Sequence, residues 1–305
     1  MTEPKAQITV VLPTFRRPAA LVRALAGLAE QRGAPPYEVL VVDNDTAPHA
    51  PLTLPTGIAG RVVCEPQSGA AAARNRGIAE TATPLLAMLD DDVYPDPGWL
   101  AELAAPVLAG RADVTGGRVV LDPDVARPRW MAPGIEGYLT ALDLGVSERP
   151  LAAEETLLTA SLLTRTELLR EVGGFDLRLG PRGSRQLVGD DVALVRALRS
   201  HGARTVYVPT SVVVHELPAS RLRPSWVLRR AWLQGRSDWR VDRAAMERRR
   251  ARGARVALAW LGTQLRLRRA EGVRMSVAFH TACDAARTAG ALVEACSWRE
   301  GAACG

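Results

Sequence analysis

The chain has 305 residues, of which 47% are apolar and 5% are aromatic. This length and composition allow one large α/β domain with appendages or two small domains, and they argue against a disordered chain. The formal net charge of +6 and the arginine-dense segment 221–274 indicate either an anionic partner or a solvated helical face.

The cysteines and the hydropathy pattern indicate where in the cell the protein is expected to lie. None of the four cysteines forms a C-x-x-C pair, and no signal-peptide pattern precedes the first apolar run at residues 8–12. No uncharged apolar run reaches the roughly 18 residues that a membrane span needs. We therefore predict a cytoplasmic protein without a transmembrane helix, which can also lie peripherally at the inner face of a membrane.

Strand and helix patterns alternate along the first part of the chain. Apolar, largely β-branched runs predict four strands, at residues 8–12, 38–42, 61–64 and 85–89. Helical patterns begin at Pro18 and at Gly69. The alternation predicts a doubly wound, mostly parallel α/β sheet, with a nucleotide-binding half at about residues 1–120. Ligands of such sheets bind beyond the carboxyl ends of the strands.

The pattern is less regular after residue 116. We predict a strand at 118–121, an irregular binding segment at 127–133 and helices at 167–172 and 192–200. Two short strands follow at 204–208 and 211–214, separated by Pro209. Residues 1–220 are predicted to form the main domain, whose acceptor half is at about 121–220, and residues 221–305 a helical, basic extension.

Three consecutive carboxylates, Asp90, Asp91 and Asp92, follow the fourth strand. They repel one another unless a cation neutralises them. Mg²⁺ or Mn²⁺ prefers oxygen ligands and takes one or two protein carboxylates beside water and phosphate oxygens. We therefore predict a divalent metal and a nucleotide at this turn. A capped turn before the helix that opens at Pro97 is the alternative.

Other strand and helix ends carry polar side chains. Asp43 and Asn44 can read a nucleobase edge or a ribose, although both are ordinary turn formers. Arg74 can reach a phosphate or a carboxylate cluster, or form a structural salt bridge.

Asp190 and Asp191 lie at a predicted helix N-terminus, where one carboxylate can cap the helix and the other can act as a general base. Capping alone is the alternative for this pair. His215, at the end of an apolar run, is a candidate imidazole ligand to the metal.

The order of these motifs resembles that of the family-2 glycosyltransferases, which have the GT-A fold. The resemblance covers roughly residues 8–240. Its specific parts are the segments Val-Val-Leu-Pro-Thr-Phe-Arg-Arg at 10–17, Val-Val-Asp-Asn-Asp-Thr at 41–46, Ala-Arg-Asn-Arg-Gly-Ile at 73–78, Leu-Asp-Asp-Asp at 89–92, Gly-Gly-Phe-Asp at 173–176 and Gly-Asp-Asp at 189–191.

The resemblance implies an inverting hexosyl or deoxyhexosyl transferase that uses a UDP- or dTDP-linked sugar and a divalent metal. It implies that Asp191 is the general base and that Asp92 and His215 bind the metal. The residues implied on the nucleotide-sugar side are Pro13, Thr14, Phe15, Arg16, Asp43, Asn44, Asp45, Arg74, Asn75, Asp90 and Asp91. On the acceptor side we place Gly117, Trp130 and Asp190. The acceptor is expected to be a bacterial glycan, a lipid-linked saccharide or a secondary metabolite.

Two other classes of protein compete with this interpretation. A nucleotidyltransferase would need a glycine-rich phosphate loop, which residues 13–16 lack. A non-catalytic basic module that binds nucleic acid or membranes would not need the two Asp clusters, so no nucleic-acid partner is predicted. The tryptophan- and arginine-containing segment 221–240 can contact an anionic membrane, or it can form a homodimer interface or a packed tail.

Overall fold

The computed structural model describes residues 5–45, 52–131, 134–182, 185–186, 188–241 and 273–302. The chain divides into two compact units. The first comprises Met1–Asp122, Ala141–Arg185 and Asp190–Glu216, and the second comprises Pro123–Thr140, Gln186–Gly189 and Leu217–Gly305. The predicted division at residue 220 stays a prediction.

The strands in the described part of the chain are numbered in chain order. They are β1 (Ile8–Thr14), β2 (Tyr37–Asp43), β3 (Gly60–Cys64), β4 (Leu85–Met88), β5 (Val93–Pro95), β6 (Val114–Leu121), β7 (Arg149–Pro150), β8 (Leu162–Arg165), β9 (Pro181–Arg182), β10 (Arg185–Gln186) and β11 (Thr205–His215). Within the described residues, the first unit contains a nine-stranded sheet in the order β3-β2-β1-β4-β8-β6-β11-β5, with β7 paired to β11. The four strands β3, β2, β1 and β4 are mutually parallel, whereas β8 is antiparallel to both of its neighbours.

Helices cover both faces of this sheet. They are α1 (Pro18–Ala29), α2 (Ala70–Glu80), α3 (Trp99–Leu108), α4 (Thr166–Glu171) and α5 (Asp190–Ser200). Side chains alternate along a strand, so Val10 of β1 shares a core with Leu25 and Leu100, from α1 and α3. Val11 points to the opposite core, which includes Ile78 of α2. The predicted doubly wound α/β sheet is therefore confirmed.

Close packing of α2 on β1 requires a glycine. A Cβ atom added at Gly77 would lie 2.3 Å from Cγ1 of Val11, which is closer than carbon atoms can approach. The helix that carries Arg74 and Asn75 therefore lies directly against the first strand.

One prediction about the strands is wrong. Residues 204–208 and 211–214 do not form two strands, because β11 runs without a break through Pro209. The pairing register with β6 shifts between Val208 and Val212. The irregularity removes Pro209 from the ladder, where its missing N–H would leave a hydrogen bond unmade.

The second unit contains a 3₁₀ helix (Ile135–Leu139), α6 (Pro224–Val241) and α7 (Val273–Ala302). Helices α6 and α7 approach closely, since a Cβ atom at Gly235 would lie 1.7 Å from the carbonyl oxygen of Arg287. The buried Glu294 of α7 accepts hydrogen bonds from Arg236 and Arg240, at 2.7 Å each. These two arginines of the basic segment thus have partners within the unit. Residues 242–272 and 303–305 of the predicted extension lie outside the described residues.

Candidate active site

The carboxyl ends of the parallel strands bring the polar motifs together in the first unit. Thr14, the last residue of β1, is paired in register with Asp43 at the end of β2. The turn that contains Asp90 follows the neighbouring strand β4. Polar residues predicted from separate parts of the sequence therefore share one edge of the sheet, which is where α/β folds bind ligands.

Asp91 is the most deeply buried member of the Asp triplet, at 6% exposure against 8% for Asp92. Its Oδ2 accepts a hydrogen bond from Oγ1 of Thr14 at 2.8 Å, and its Oδ1 accepts one from Nη1 of Arg17 at 3.3 Å. Burial raises the pKa of Asp91 to about 6, although Arg17 and Thr14 act in the opposite direction. Asp91 thus joins the first strand to the Asp turn from inside the protein.

Asp92 lies between a cation and an imidazole. Its Oδ2 accepts a hydrogen bond from Nη1 of Arg17 at 2.7 Å, and its Oδ1 is 3.6 Å from Nε2 of His215. His215 is the last residue of β11, which pairs with β5 just after the Asp turn, so the sheet itself creates this juxtaposition.

The donor set at Asp92 fits a hard divalent ion. A carboxylate oxygen and a buried imidazole nitrogen can both serve as ligands, and the ion's remaining positions suit water and phosphate oxygens. Among the described residues, no group of three or more His, Cys, Asp or Glu side chains is arranged to bind a metal. The assignment of Asp92 and His215 as metal ligands stays a prediction.

Phe15 and Arg16 form an exposed platform next to β1. The Phe15 side chain is 49% exposed, and the guanidinium carbon of Arg16 lies 5.0 Å from the centre of its ring. Asp45 holds Arg16 through two hydrogen bonds of 2.8 and 3.1 Å. Arg16 adopts a left-handed backbone conformation, with a φ of 56°. About half of the Phe15 side chain is thus exposed at the carboxyl end of β1.

Asn44 shapes the loop that precedes α2. Its Nδ2 donates to the carbonyl oxygens of Glu65 and Gln67, and its Oδ1 accepts from the amide of Gly69, all at 2.8 Å. The side-chain amide of Asn44 thus makes all three of these hydrogen bonds to the protein's own backbone. At the same strand end, Asp43 accepts a hydrogen bond from the backbone N–H of Asp45 at 3.0 Å.

Arg74 connects the two Asp clusters. Its Nη2 donates to Oδ1 of Asp90 at 2.7 Å, and its Nη1 donates to Oδ2 of Asp190 at 2.6 Å, although Asp190 is 116 residues further along the chain. Arg74 and Asp190 are each only 6% exposed. Burial lowers the pKa of Arg74, but the carboxylates of Asp90 and Asp190 raise it by more, so the pKa lies above its ordinary value. A buried, charged guanidinium therefore holds the Asp turn and the start of α5 together.

Asn75 fixes the Gly-Gly-Phe-Asp segment. Its Nδ2 donates to the carbonyl oxygen of Phe175 at 2.9 Å, and its Oδ1 accepts from the Phe175 amide at 2.8 Å. The Phe175 ring centre is consequently 5.5 Å from the guanidinium carbon of Arg74. Both polar residues of the α2 motif thus make contacts within the protein.

Asp191 lies in the first turn of α5, where the helix dipole favours negative charge. Its Oδ1 accepts a hydrogen bond from Oγ1 of Thr159 at 2.5 Å. Burial raises the pKa of Asp191 to about 7, and the neighbouring Asp190 carboxylate acts in the same direction. A carboxylate that titrates near neutral pH is suited to accepting a proton.

The two remaining acceptor-side candidates have packing contacts. Gly117 is buried in β6, where an added Cβ atom would lie 2.4 Å from the carbonyl oxygen of Ser211. Trp130 belongs to the second unit, and its ring packs edge-on against Phe279 with 4.6 Å between the ring centres.

The sequence assigns no role to Thr159, and it includes Arg17 only as part of the motif at residues 10–17. Arg17 follows directly on the assigned residues 13–16, so its position in the motif indicates that it lies near the site. Thr159 lies in an apolar run and nothing in its sequence context distinguishes it. Only the three-dimensional arrangement brings Thr159 to Asp191, which is 32 residues away in sequence.

Four parallel strands whose carboxyl ends carry polar and acidic side chains are typical of nucleotide-binding α/β proteins. Residues 9–151 match the family described as Glycosyl transferase family 2, and residues 85–282 match Glycosyl transferase family group 2. The chain belongs to the family-2 glycosyltransferases, as the motif order predicts.

Relatives with named functions include the pre-mycofactocin glycosyltransferase of Mycobacterium tuberculosis. It is 31% identical over 236 residues, which is 75% of this chain and 46% of the relative. The chain thus spans about half the length of that relative.

Two solved structures have a similar fold. The mannosyltransferase PcManGT from Pyrobaculum calidifontis, in complex with GDP-Man and Mn²⁺, has a TM-score of 0.52 and 18% identity, covering 99% of this chain and 77% of that one. S. aureus TarS 1–349, in complex with UDP-GlcNAc, has a TM-score of 0.51 and 16% identity, covering 76% of this chain and 66% of that one. These likenesses confirm the predicted GT-A type of fold.

Proposed function

We propose that this protein transfers a sugar, with inversion, from a nucleoside-diphosphate sugar to a hydroxyl group of an acceptor. The observation that carries the proposal is the Arg74 bridge, because it places the carboxylates of the Asp turn and of the α5 N-terminus around one guanidinium. Such a displacement requires a site that binds the metal and the phosphates of the donor, and a general base that takes the proton of the acceptor.

On the donor side, the exposed Phe15 ring offers a stacking surface for a nucleobase. Asp43, one strand away, supplies carboxylate oxygens for the base or the ribose. UDP and dTDP are the nucleotides that the resemblance favours, and the similar structures were solved with UDP-GlcNAc and GDP-Man. The choice of nucleotide is therefore a subject of the experiment below.

Asp92 and His215 would hold Mg²⁺ or Mn²⁺. The bound ion would neutralise negative charge that grows on the departing diphosphate. Arg17, which is half-exposed and hydrogen-bonded to Asp92, is a second cation within reach of this edge. We assign to Arg17 the compensation of carboxylate charge when no donor is bound.

Asp191 accepts the acceptor's hydroxyl proton as the oxygen attacks the anomeric carbon. Its pKa of about 7 leaves it ionised in a large fraction of molecules at neutral pH and still basic enough to take the proton.

We propose a bacterial glycan, a lipid-linked saccharide or a secondary metabolite as acceptor. In the part of the chain that the structure describes, no helix combines the length and the apolarity that crossing a bilayer requires.

The test is a comparison of donor binding with turnover. Wild type should bind UDP or dTDP in calorimetric titrations, more tightly with Mn²⁺ than without it. Asp191→Asn should lower kcat by about 10²- to 10⁴-fold while leaving that affinity unchanged. Asp113→Asn is the matched control and should retain activity. Asp113 directly precedes β6, away from the carboxyl ends of the strands, and it pairs with Arg204. An active Asp191→Asn enzyme would contradict the base assignment, and failure to bind UDP, dTDP or GDP would contradict the donor class.

A further inference from the structure

Thr159 is a buried threonine that donates its hydroxyl hydrogen bond to a site carboxylate. It begins the 3₁₀ helix Thr159–Ser161, directly before β8, and is 1% exposed. A buried hydroxyl needs a partner. The partner is Oδ1 of Asp191, at 2.5 Å. Because the threonine side chain is branched at Cβ and stiff about χ1, the position of its hydroxyl oxygen beside Asp191 is well defined.

The neighbouring charges do not supply an equivalent contact. The Nη groups of Arg74 donate to Asp90 and Asp190. Asp190, in the same helical turn as Asp191, is a like charge that repels it. Among the described residues, the Thr159 hydroxyl is therefore the side chain that donates a hydrogen bond to Asp191, whereas Arg74, Asp90 and Asp190 act on it through their charges.

We propose that Thr159 is a positioning residue for the general base, holding Oδ1 of Asp191 so that Oδ2 is directed at the acceptor hydroxyl. This inference rests on the function proposed above. In the reaction, the acceptor O–H bond breaks and its proton passes to Oδ2, while the oxygen's electron pair forms the new bond to the anomeric carbon. The bond from that carbon to the diphosphate breaks and its electron pair leaves with the diphosphate. Thr159 keeps its proton throughout.

The role has two measurable consequences. A carboxylate free to rotate spends less time aligned with the acceptor, and a misplacement of about 1 Å can cost about 100-fold in rate. A hydrogen bond to a carboxylate also stabilises its charged form, so loss of the bond raises the pKa of Asp191 further. A residue that only filled space would produce neither a shift in the pH profile nor a dependence on the hydroxyl group.

The experiment compares Thr159→Val, which replaces the hydroxyl by a methyl group of similar size, with Thr159→Ser, which keeps it. We expect Thr159→Val to lower kcat by about 10- to 100-fold, to leave the donor KM within about twofold, and to move the acid limb of the pH profile to higher pH. Thr159→Ser should restore most of the rate and the wild-type profile. Thr115→Val is the matched control, because Thr115 is also buried and its hydroxyl donates to the carbonyl oxygen of Leu103.

The outcomes separate this inference from the proposed function. An inactive Asp191→Asn together with a fully active Thr159→Val would overturn only the role of Thr159. A fully active Asp191→Asn would overturn both. Thr159→Ser that is as slow as Thr159→Val, or a Thr159→Val rate loss without a shifted profile, would indicate packing instead and overturn the inference. Thermal unfolding and calorimetric donor binding establish that each variant is folded, and Thr159→Ala replaces Thr159→Val if the latter does not fold.

Discussion

The buried Arg74–Asp190 pair should dominate the local stability of the site. Arg74→Met removes the guanidinium and leaves the 6%-exposed Asp190 without its 2.6 Å partner. Breaking a buried ion pair from one side costs about 3–5 kcal/mol, because the remaining charge is uncompensated. Asp90 should add little to this, since its side chain is 24% exposed and water can replace Arg74 there.

The assay is thermal unfolding of Arg74→Met, Asp190→Asn and the double variant. At about 2–4 °C per kcal/mol, the Arg74→Met change should lower Tm by roughly 6–20 °C. The double variant should lose less free energy than the sum of the single variants, by about 0.5–3 kcal/mol. Arg111→Met, which breaks an exposed pair with Glu148, is the control and should change stability by about 0–1 kcal/mol. Additive single variants, or an Arg74→Met loss no greater than the control's, would refute the reasoning.

Three further predictions concern the site. Asp92→Ala should abolish the part of donor affinity that depends on Mn²⁺, measured by calorimetry with and without the ion; unchanged metal dependence would remove Asp92 from the metal site. Phe15→Ala should weaken nucleotide binding by about 1–3 kcal/mol through lost stacking, whereas Phe15→Tyr should bind like wild type; equal affinities in all three proteins would exclude the platform. The pKa of Asp191 is raised to about 7 in the folded protein, so the stability that its protonation contributes is fully present below an unfolded pKa of about 3.9 and is lost as pH rises through 7. Asp191→Asn should therefore have a higher Tm than wild type at pH 8 and a smaller advantage at pH 5, and a difference independent of pH would contradict the raised pKa.

The sequence by itself determined the sheet edge and most of the candidate residues. The predicted strands at residues 8–12, 38–42 and 85–89 are parallel neighbours in the sheet, because apolar runs indicate buried strands and βα alternation favours parallel pairing. The motif order also identified the family. These features are local or depend on order along the chain, so they can be read without coordinates.

The tertiary structure decided what the polar groups contact. An amide or guanidinium in a motif has the same donors whether it meets a ligand or its own protein, and the sequence does not say which. Asn44 and Asn75 bond to backbone groups, and Arg74 bridges carboxylates from two distant segments. Their predicted contacts with the nucleotide sugar stay predictions.

The same reason explains the arrangement of the later strands and the position of Thr159. β8 enters the sheet antiparallel between β4 and β6, and it positions the 3₁₀ helix before it, where Thr159 meets Asp191. A threonine in an apolar run carries no sign of its partner. The hydroxyl of Thr159 finds its partner only when packing brings the two segments within hydrogen-bond distance. Burial then makes a hydroxyl without a hydrogen bond costly.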